Sequence, residues 1–239
     1  MAPERRDDGP LLRARALRVE AQGSVLLRDA EIAVDPREVL ILVGETGSGK
    51  TSLLDALSGM SSHDVTGVLT VLGEDGLCPG TMRRLRGGRL GVLQQDIRGW
   101  YTPYRRVGPQ ILEGWAVDPT TGRAQVGAVL DRLALPLERV WSRFPNQLSD
   151  GMLRRAALAG LLARGPALVI ADEPTAGLDG PTRWRAWELL LESGAAVVAA
   201  THDRAQLAAL TAQGRTLRIK TIVKGTLCGD GTPGDWYGR

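Results

Sequence analysis

One segment limits the fold more than any other: Gly44, Glu45, Thr46, Gly47, Ser48, Gly49, Lys50 and Thr51 in unbroken order. It fits the pattern G-x-x-x-x-G-K-[ST]. The apolar run Val39-Leu-Ile-Leu-Val43 before it has strand character, and Ser52-Leu-Leu-Asp-Ala-Leu57 after it reads as a helix. The pattern needs that setting. Its glycines let successive backbone N–H groups curl around phosphate oxygens, and the helix N-terminus adds partial positive charge. Lys50 is then placed to reach the β- and γ-phosphates of a nucleotide, and the Thr51 hydroxyl to ligate Mg²⁺. The competing reading is a glycine-rich strand-to-helix turn. Lysine is scarce here, three residues against 27 arginines, so its place in the loop is not a matter of composition.

A second strand candidate, Leu168-Val-Ile-Ala-Asp-Glu173, ends in two carboxylates. Acids at the C-terminal end of a strand fall in the crevice where open α/β sheets bind ligands. Asp172 suits Mg²⁺, held through water. Glu173 suits the polarisation of an attacking water as general base, a role worth roughly 10²–10⁴-fold in rate. Read alone, the pair is also compatible with two solvated acids. His202 follows the apolar run Ala195 to Ala200 and could bond a γ-phosphate and the attacking water; the alternative is a helix-capping Thr201 with an incidental histidine. The other histidine, His63, reads as plain loop.

The rest of the chain gives the frame. Leu11 to Val34 reads as an antiparallel hairpin around Gln22-Gly-Ser24, and Gly67 to Gly73 and Arg89 to Leu93 as two further strands. From about Trp100 to Leu162 the pattern is helical, broken at Pro103, Pro109, Pro119 and Pro136. Six of the ten aromatic residues fall between Trp100 and Phe144, which fits a small helical core or a docking surface. Strand and helix alternate again through Ala167–Ala171, Thr182–Leu191 and Ala195–Thr201, and Arg215 to Leu227 reads as two short strands. The sum is an α/β sheet domain with a helical insertion. Apolar content of 43% supports a core, and a net charge of +3 is weak support for any acidic partner. Cys78 and Cys228 lack metal-ligand spacing and speak against a disulfide scaffold. Met1 to Pro10 carries no apolar signal-peptide core, and no run approaches a membrane span.

In this order the segments resemble the ATP-binding cassette subunits of ABC transporters, over essentially the whole chain. Gly44–Thr51 resembles Walker A and Leu168–Glu173 Walker B with its catalytic glutamate. Gln147-Leu-Ser-Asp-Gly-Met152 resembles the signature motif, usually LSGGQ. Ala176-Gly-Leu-Asp179 resembles the D-loop, His202 the switch histidine, and Gln94 the Q-loop glutamine, with Gln95 the alternative by one residue. The resemblance implies a P-loop NTPase fold: a RecA-like sheet core, an antiparallel β-subdomain and a helical signature subdomain. One nucleotide-binding domain is expected over residues 11–232, with the helical part at about 95–162 and tails at 1–10 and 233–239.

The resemblance further implies ATP and Mg²⁺ as cofactors, with catalysis by Glu173, His202 and Gln94. Nucleotide would be held by Gly44 to Thr51 and by Ser149, Gly151 and Asp179, and metal by Thr51, Gln94 and Asp172. The signature helix, read as Met152 to Ala163, would complete the site of a second ABC ATPase subunit. Arg154-Arg155 and Ile170-Ala-Asp-Glu-Pro-Thr175 resemble the dipeptide, oligopeptide and nickel importer branch, whose transporters usually pair two different cassettes. That implies transmembrane permease subunits, a solute-binding protein acting indirectly, peptide, nickel or metal-chelate cargo, and a place on the cytoplasmic face of the membrane. Nucleic acid is not an expected partner, because no basic stripe interleaved with aromatics is present. The other reading is a soluble ABC ATPase of an enzyme or nucleic-acid complex, such as a phosphonate-metabolism cassette.

Three departures carry expectations. Asp150 replaces the first glycine of the usual signature pair. Facing a γ-phosphate at about 6 Å and an effective ε of ~20, its charge would cost on the order of 2–3 kcal/mol. That favours a heterodimer over a homodimer. Val19-Glu-Ala-Gln-Gly23 offers no aromatic to stack on adenine, a contact worth roughly 1–3 kcal/mol in nucleic-acid systems. The sequence stops at Arg239, where larger members of the branch continue.

Overall fold

The computed structural model describes residues 9–86 and 88–231. Most of the two expected tails therefore lies outside the described residues. The chain enters as β1 (Leu12–Ala21) and β2 (Ser24–Val34), an antiparallel pair closed at Gln22-Gly23 with positive φ at both residues, 48° and 79°. Two such residues match the right-handed twist of a hairpin. Next come β3 (Val39–Val43), α1 (Lys50–Ser58), β4 (Asp64–Val71), β5 (Glu74–Asp75), α2 (Pro79–Arg86) and β6 (Leu90–Leu93). The middle holds α3 (Val107–Ile111), α4 (Pro119–Arg132) and α5 (Asp150–Ala163). The chain closes with β7 (Leu168–Asp172), α6 (Gly180–Glu192), β8 (Ala196–Ala200), α7 (Arg204–Ala212), β9 (Arg218–Val223) and β10 (Thr226–Gly231).

All ten strands form one sheet, ordered β5-β4-β1-β2-β10-β9-β3-β8-β7-β6. Strands β9, β3, β8, β7 and β6 run parallel to one another, β1, β2, β4 and β5 pair antiparallel among themselves, and β10 joins the two sets, antiparallel to β9 and parallel to β2. Every residue of β3, β7 and β8 is buried, as expected of parallel strands covered on both faces. Alternation then splits them. Ile41, Val169 and Val197 enter the core shared with α3 to α6, while Leu40, Ile170 and Val198 enter the core under α1, α2 and the hairpin.

The expected α/β frame is present, with three corrections. The strand read from Gly67 starts earlier, at Asp64. Gly67 lies inside it at φ 110°, where an added Cβ would meet the Ala16 carbonyl oxygen at 2.4 Å, opposite an irregular stretch of β1. The glycine marks an irregularity in the ladder, not an end. The run from Trp100 to Leu162 is far less helical than its pattern: before α5 only α3 and α4 are α-helical, joined by turns. The Gln110 side chain ties one of these turns, accepting from the Thr102 N–H at 2.7 Å and donating to the Arg105 carbonyl at 2.9 Å. Finally α2 and α7 appear where no helix was read, each short and buried at few positions.

Candidate functional site

Gly44 to Thr51 turns directly off β3 into α1. Gly49, at φ 107°, occupies the N-cap of α1 with no side chain closing the helix start. Only glycine adopts that backbone readily, and the first N–H groups of the helix are left for a ligand. Gly44 is required sterically: an added Cβ would lie 2.5 Å from the Ile222 carbonyl oxygen and 2.7 Å from Ser48 Oγ. Ser48 Oγ is buried with no hydrogen-bond partner among the described residues, an orphan that a phosphate oxygen would satisfy. The Lys50 ammonium donates to the Gly44 and Glu45 carbonyls, each at 2.8 Å. A cavity of about 420 Å³ is lined by Gly44 to Ser48 together with His202 and Lys224.

The loop meets the end of β7. The Thr51 hydroxyl donates to Asp172 Oδ2 at 2.6 Å. Burial pushes the Asp172 carboxyl above its ordinary range, opposed by the Thr51 hydrogen bond, raised further by Glu173 and Asp55 and opposed again by Lys50. A second cavity, about 360 Å³, is lined by Thr51, Asp55, Gln94, Gln95 and Asp172 among others. Burial likewise raises the Asp55 carboxyl, a shift that the Gln94 side chain and His63 oppose. Gln95 is exposed, so of the two glutamines Gln94 is the more enclosed beside Thr51 and Asp172. A hydroxyl and a carboxylate form a hard-oxygen pair that fits Mg²⁺, which takes one or two carboxylates plus phosphates and water.

Glu173 stands at φ 48°, a left-handed conformation unusual for a side chain of its kind. Its Oε1 lies 2.6 Å from His202 Nδ1 and accepts the His202 backbone N–H at 3.1 Å; its Oε2 accepts from the Thr201 hydroxyl at 3.3 Å. Thr201 also accepts from the Asp203 N–H at 3.1 Å. Thr201 therefore does cap the following turn, and His202 is nonetheless not incidental. The ends of adjacent β7 and β8 bring Glu173 and His202 together.

Ser149, Gly151 and Asp179 line none of the cavities around the loop that Gly44–Thr51 and Asp172 share. Ser149 caps α5, which begins at Asp150 rather than Met152, accepting from the Met152 N–H at 3.2 Å. Asp179 caps α6, accepting from the Thr182 N–H at 2.9 Å; the Thr182 bonds hold its carboxyl below the usual range. An added Cβ on Gly151 would lie 3.1 Å from the Gly177 carbonyl oxygen, so the two loops press together. Asp150 is not the lone charge the sequence implied: Arg98 Nη2 lies 2.6 Å from its Oδ1. The half-exposed Arg98–Asp150 pair offsets part of the penalty reckoned for a bare carboxylate.

Sequence reasoning used Arg154 only within the branch resemblance and gave it no place in the site. It is 4% exposed, with Nη1 donating to the Glu173 carbonyl at 2.9 Å and Nη2 to the Gln95 carbonyl at 2.7 Å. Nothing in the pattern around it signals burial, because its helix-mate Arg155 carries the same letter and is less buried.

Known proteins share this architecture. A dimeric ATP-binding cassette, MJ0796, in a post-hydrolysis state bound to ADP and Pi superposes with a TM-score of 0.79 at 22% identity, covering 93% of this chain and 98% of that one. CbiO1 from Clostridium perfringens, part of the ABC transporter complex cbiONQ, gives 0.75 at 22%, covering 97% and 92%. The oligopeptide transport ATP-binding protein OppD of Lactococcus lactis subsp. cremoris is 32% identical over 202 residues, 79% of this chain and 60% of that protein. A putative peptide import ATP-binding protein of Brucella ovis is 32% identical over 218 residues, 81% and 64%. The chain thus spans about 60% of the length of these curated relatives. Residues 27–176, more than half of the sequence, match the family described as ABC transporter, and the chain belongs to that family.

Proposed function

We propose that the chain is an ATP-hydrolysing nucleotide-binding subunit that dimerises around Mg·ATP and drives a membrane importer of peptides. The Thr51–Asp172 contact of 2.6 Å carries this reading, because it closes the phosphate loop onto the strand end that bears Glu173. Backbone N–H groups from Gly44 to Lys50, with Lys50 Nζ, take the β- and γ-phosphates. Thr51 and Asp172 would hold Mg²⁺, with Gln94 beside them, and the ion would supply positive charge to the phosphate oxygens. Glu173 accepts a proton from the attacking water, and His202, paired to its carboxylate, keeps that acceptor aimed and bonds the γ-phosphate. Ser149, Gly151 and Asp179 serve the site of a second subunit across the dimer.

Peptide cargo is supported by the names of the oligopeptide and peptide import relatives; nickel has less behind it. Among the described residues no helix is long and apolar enough to cross a membrane. The names of the import relatives support attachment at the cytoplasmic face through permease subunits, with a solute-binding protein acting through them. A groove of about 320 Å³ bordered by Gln94, Trp100, Tyr101, Thr102 and Gln110 takes a permease segment. Its Gln94 edge is also the edge of the metal-side cavity, so docking and nucleotide state touch one residue.

The test is Mg·ATP hydrolysis by the chain assembled with co-expressed permease subunits. Hydrolysis that Lys50→Ala abolishes, with ATP-dependent peptide uptake into vesicles, is the expected result. An assembly that binds no permease, or hydrolysis indifferent to Lys50→Ala, overturns the reading.

A further inference from the structure

Arg154 is a buried cation whose hydrogen-bond partners are backbone carbonyls and not carboxylates. Its Nε has no partner among the described residues. Burial pulls its pKa down, while Asp150, Glu173, Asp172 and Asp96 favour its charge. A guanidinium in such a place is costly, and an apolar side chain of similar volume often serves stability as well or better. Packing alone therefore does not account for it. What distinguishes this arginine is where its two arms end.

One arm holds the carbonyl of Glu173, at φ 48°, whose side chain reaches Thr201 and His202. The other holds the carbonyl of Gln95, next to the Gln94 that faces Thr51 and Asp172. The arginine itself sits about one turn into α5, whose N-terminus carries Ser149 and Gly151. We propose that Arg154 is a positioning residue: from the signature helix, its fork fixes in one geometry the backbones that aim Glu173 and Gln94. This rests on the assignment of Glu173 as general base given above. A planar fork suits two carbonyls at 2.9 and 2.7 Å, and a lysine ammonium, a point charge on a flexible stem, does not hold both in fixed geometry.

The experiment compares the 239-residue chain, Arg154→Met, Arg154→Lys and Glu173→Gln for kcat and KM with Mg·ATP, for ATP affinity without turnover, and for thermal midpoint. Displacement of a catalytic group by about 1 Å costs up to ~10²-fold in rate. The expected result is a kcat at least about tenfold lower in Arg154→Met with KM, ATP affinity and thermal midpoint close to wild type, and partial recovery of kcat in Arg154→Lys. A kcat within about twofold of wild type, or a loss that appears in KM alone, overturns the proposal. Should Arg154→Met not fold, Arg154→Lys is judged by the same two results, and a wild-type kcat there overturns it. If Glu173→Gln hydrolyses ATP at the wild-type rate, the base assignment and this proposal fall together; if it is inactive while the Arg154 variants are fully active, only the proposal falls.

Discussion

The strands around β3 and the helical region around α5 are held together by different means. In the sheet, β9, β3, β8, β7 and β6 are registered residue by residue through backbone ladders and sealed by aliphatic side chains on both faces. In the helical region, arginines stitch segments together by donating to main-chain carbonyls. Arg98 reaches Leu148, Arg155 reaches Leu133 and Ala134, and Arg164 reaches Ile111 and Glu113 while its guanidinium lies 5.5 Å from the Trp115 ring centre. Arg154 is the stitch that crosses from the second region to the first. A ladder fixes geometry along its whole length; a few long side chains fix it at points.

The largest expected effect lies on the sheet side. Asp172→Asn keeps the shape of the strand end and removes the charge offered to Mg²⁺. Hydrolysis should fall about 10²-fold or more, the scale for losing one fixed electrostatic contact to the transition state. Titrating Mg²⁺ against activity checks this. Near-normal activity at ordinary Mg²⁺ would remove the strand end from the metal site.

Next comes a break confined to the other region. Arg164→Met removes two carbonyl bonds and the contact with Trp115, and should weaken the region locally by roughly 1.5–3 kcal/mol. Hydrogen exchange should speed by about one to two orders of magnitude at α3 and the following turn and stay unchanged in β3, β7 and β8. Faster exchange in those strands as well would show that the two regions unfold together.

A pH series sharpens the contrast. Burial raises Asp172 and Asp55 above 3.8, so the folded chain binds their protons more tightly than the unfolded chain does. Without ligand, their contribution to stability is greatest below the unfolded pKa and is lost as pH rises through the folded one. Metal needs Asp172 ionised, so the stabilisation given by Mg²⁺ with a non-hydrolysable ATP analogue should grow with pH over that same interval. Thermal midpoints with and without ligand measure both trends, and a ligand shift that shrinks as pH rises there would contradict the assignment.

The smallest effect belongs to Arg98 and Asp150, both half-exposed. Breaking the pair with Arg98→Ala should change stability by less than about 1 kcal/mol. It should weaken ATP-driven dimerisation only while Asp150 is present. Equal weakening in an Asp150→Gly background, read by analytical ultracentrifugation, would show that Arg98 does not compensate that charge.

The same contrast explains what could be read in advance. Gly44 to Thr51, Asp172, Glu173 and His202 were legible because each hangs on an apolar run that fixes its direction, and the parallel strands repeat that device. In the helical region the sequence showed apolar periodicity but not the turns tied by Gln110. Nor did it show that Arg98 faces Asp150, some 50 positions away. Helices α2 and α7 escaped because each buries few apolar residues, such as Met82 and Leu85, or Leu207 and Leu210. Asp179 was read as a nucleotide contact, and its visible work is to cap α6. Contacts made by long side chains across the chain leave no period in it.

The most direct test is single-turnover phosphate release by Glu173→Gln beside wild type, with ATP binding measured on the same samples. Binding at wild-type affinity with phosphate release slowed about 10²-fold or more is the predicted result. Release at the wild-type rate would mean that the Glu173 carboxylate, for all its contact with His202, is not the base.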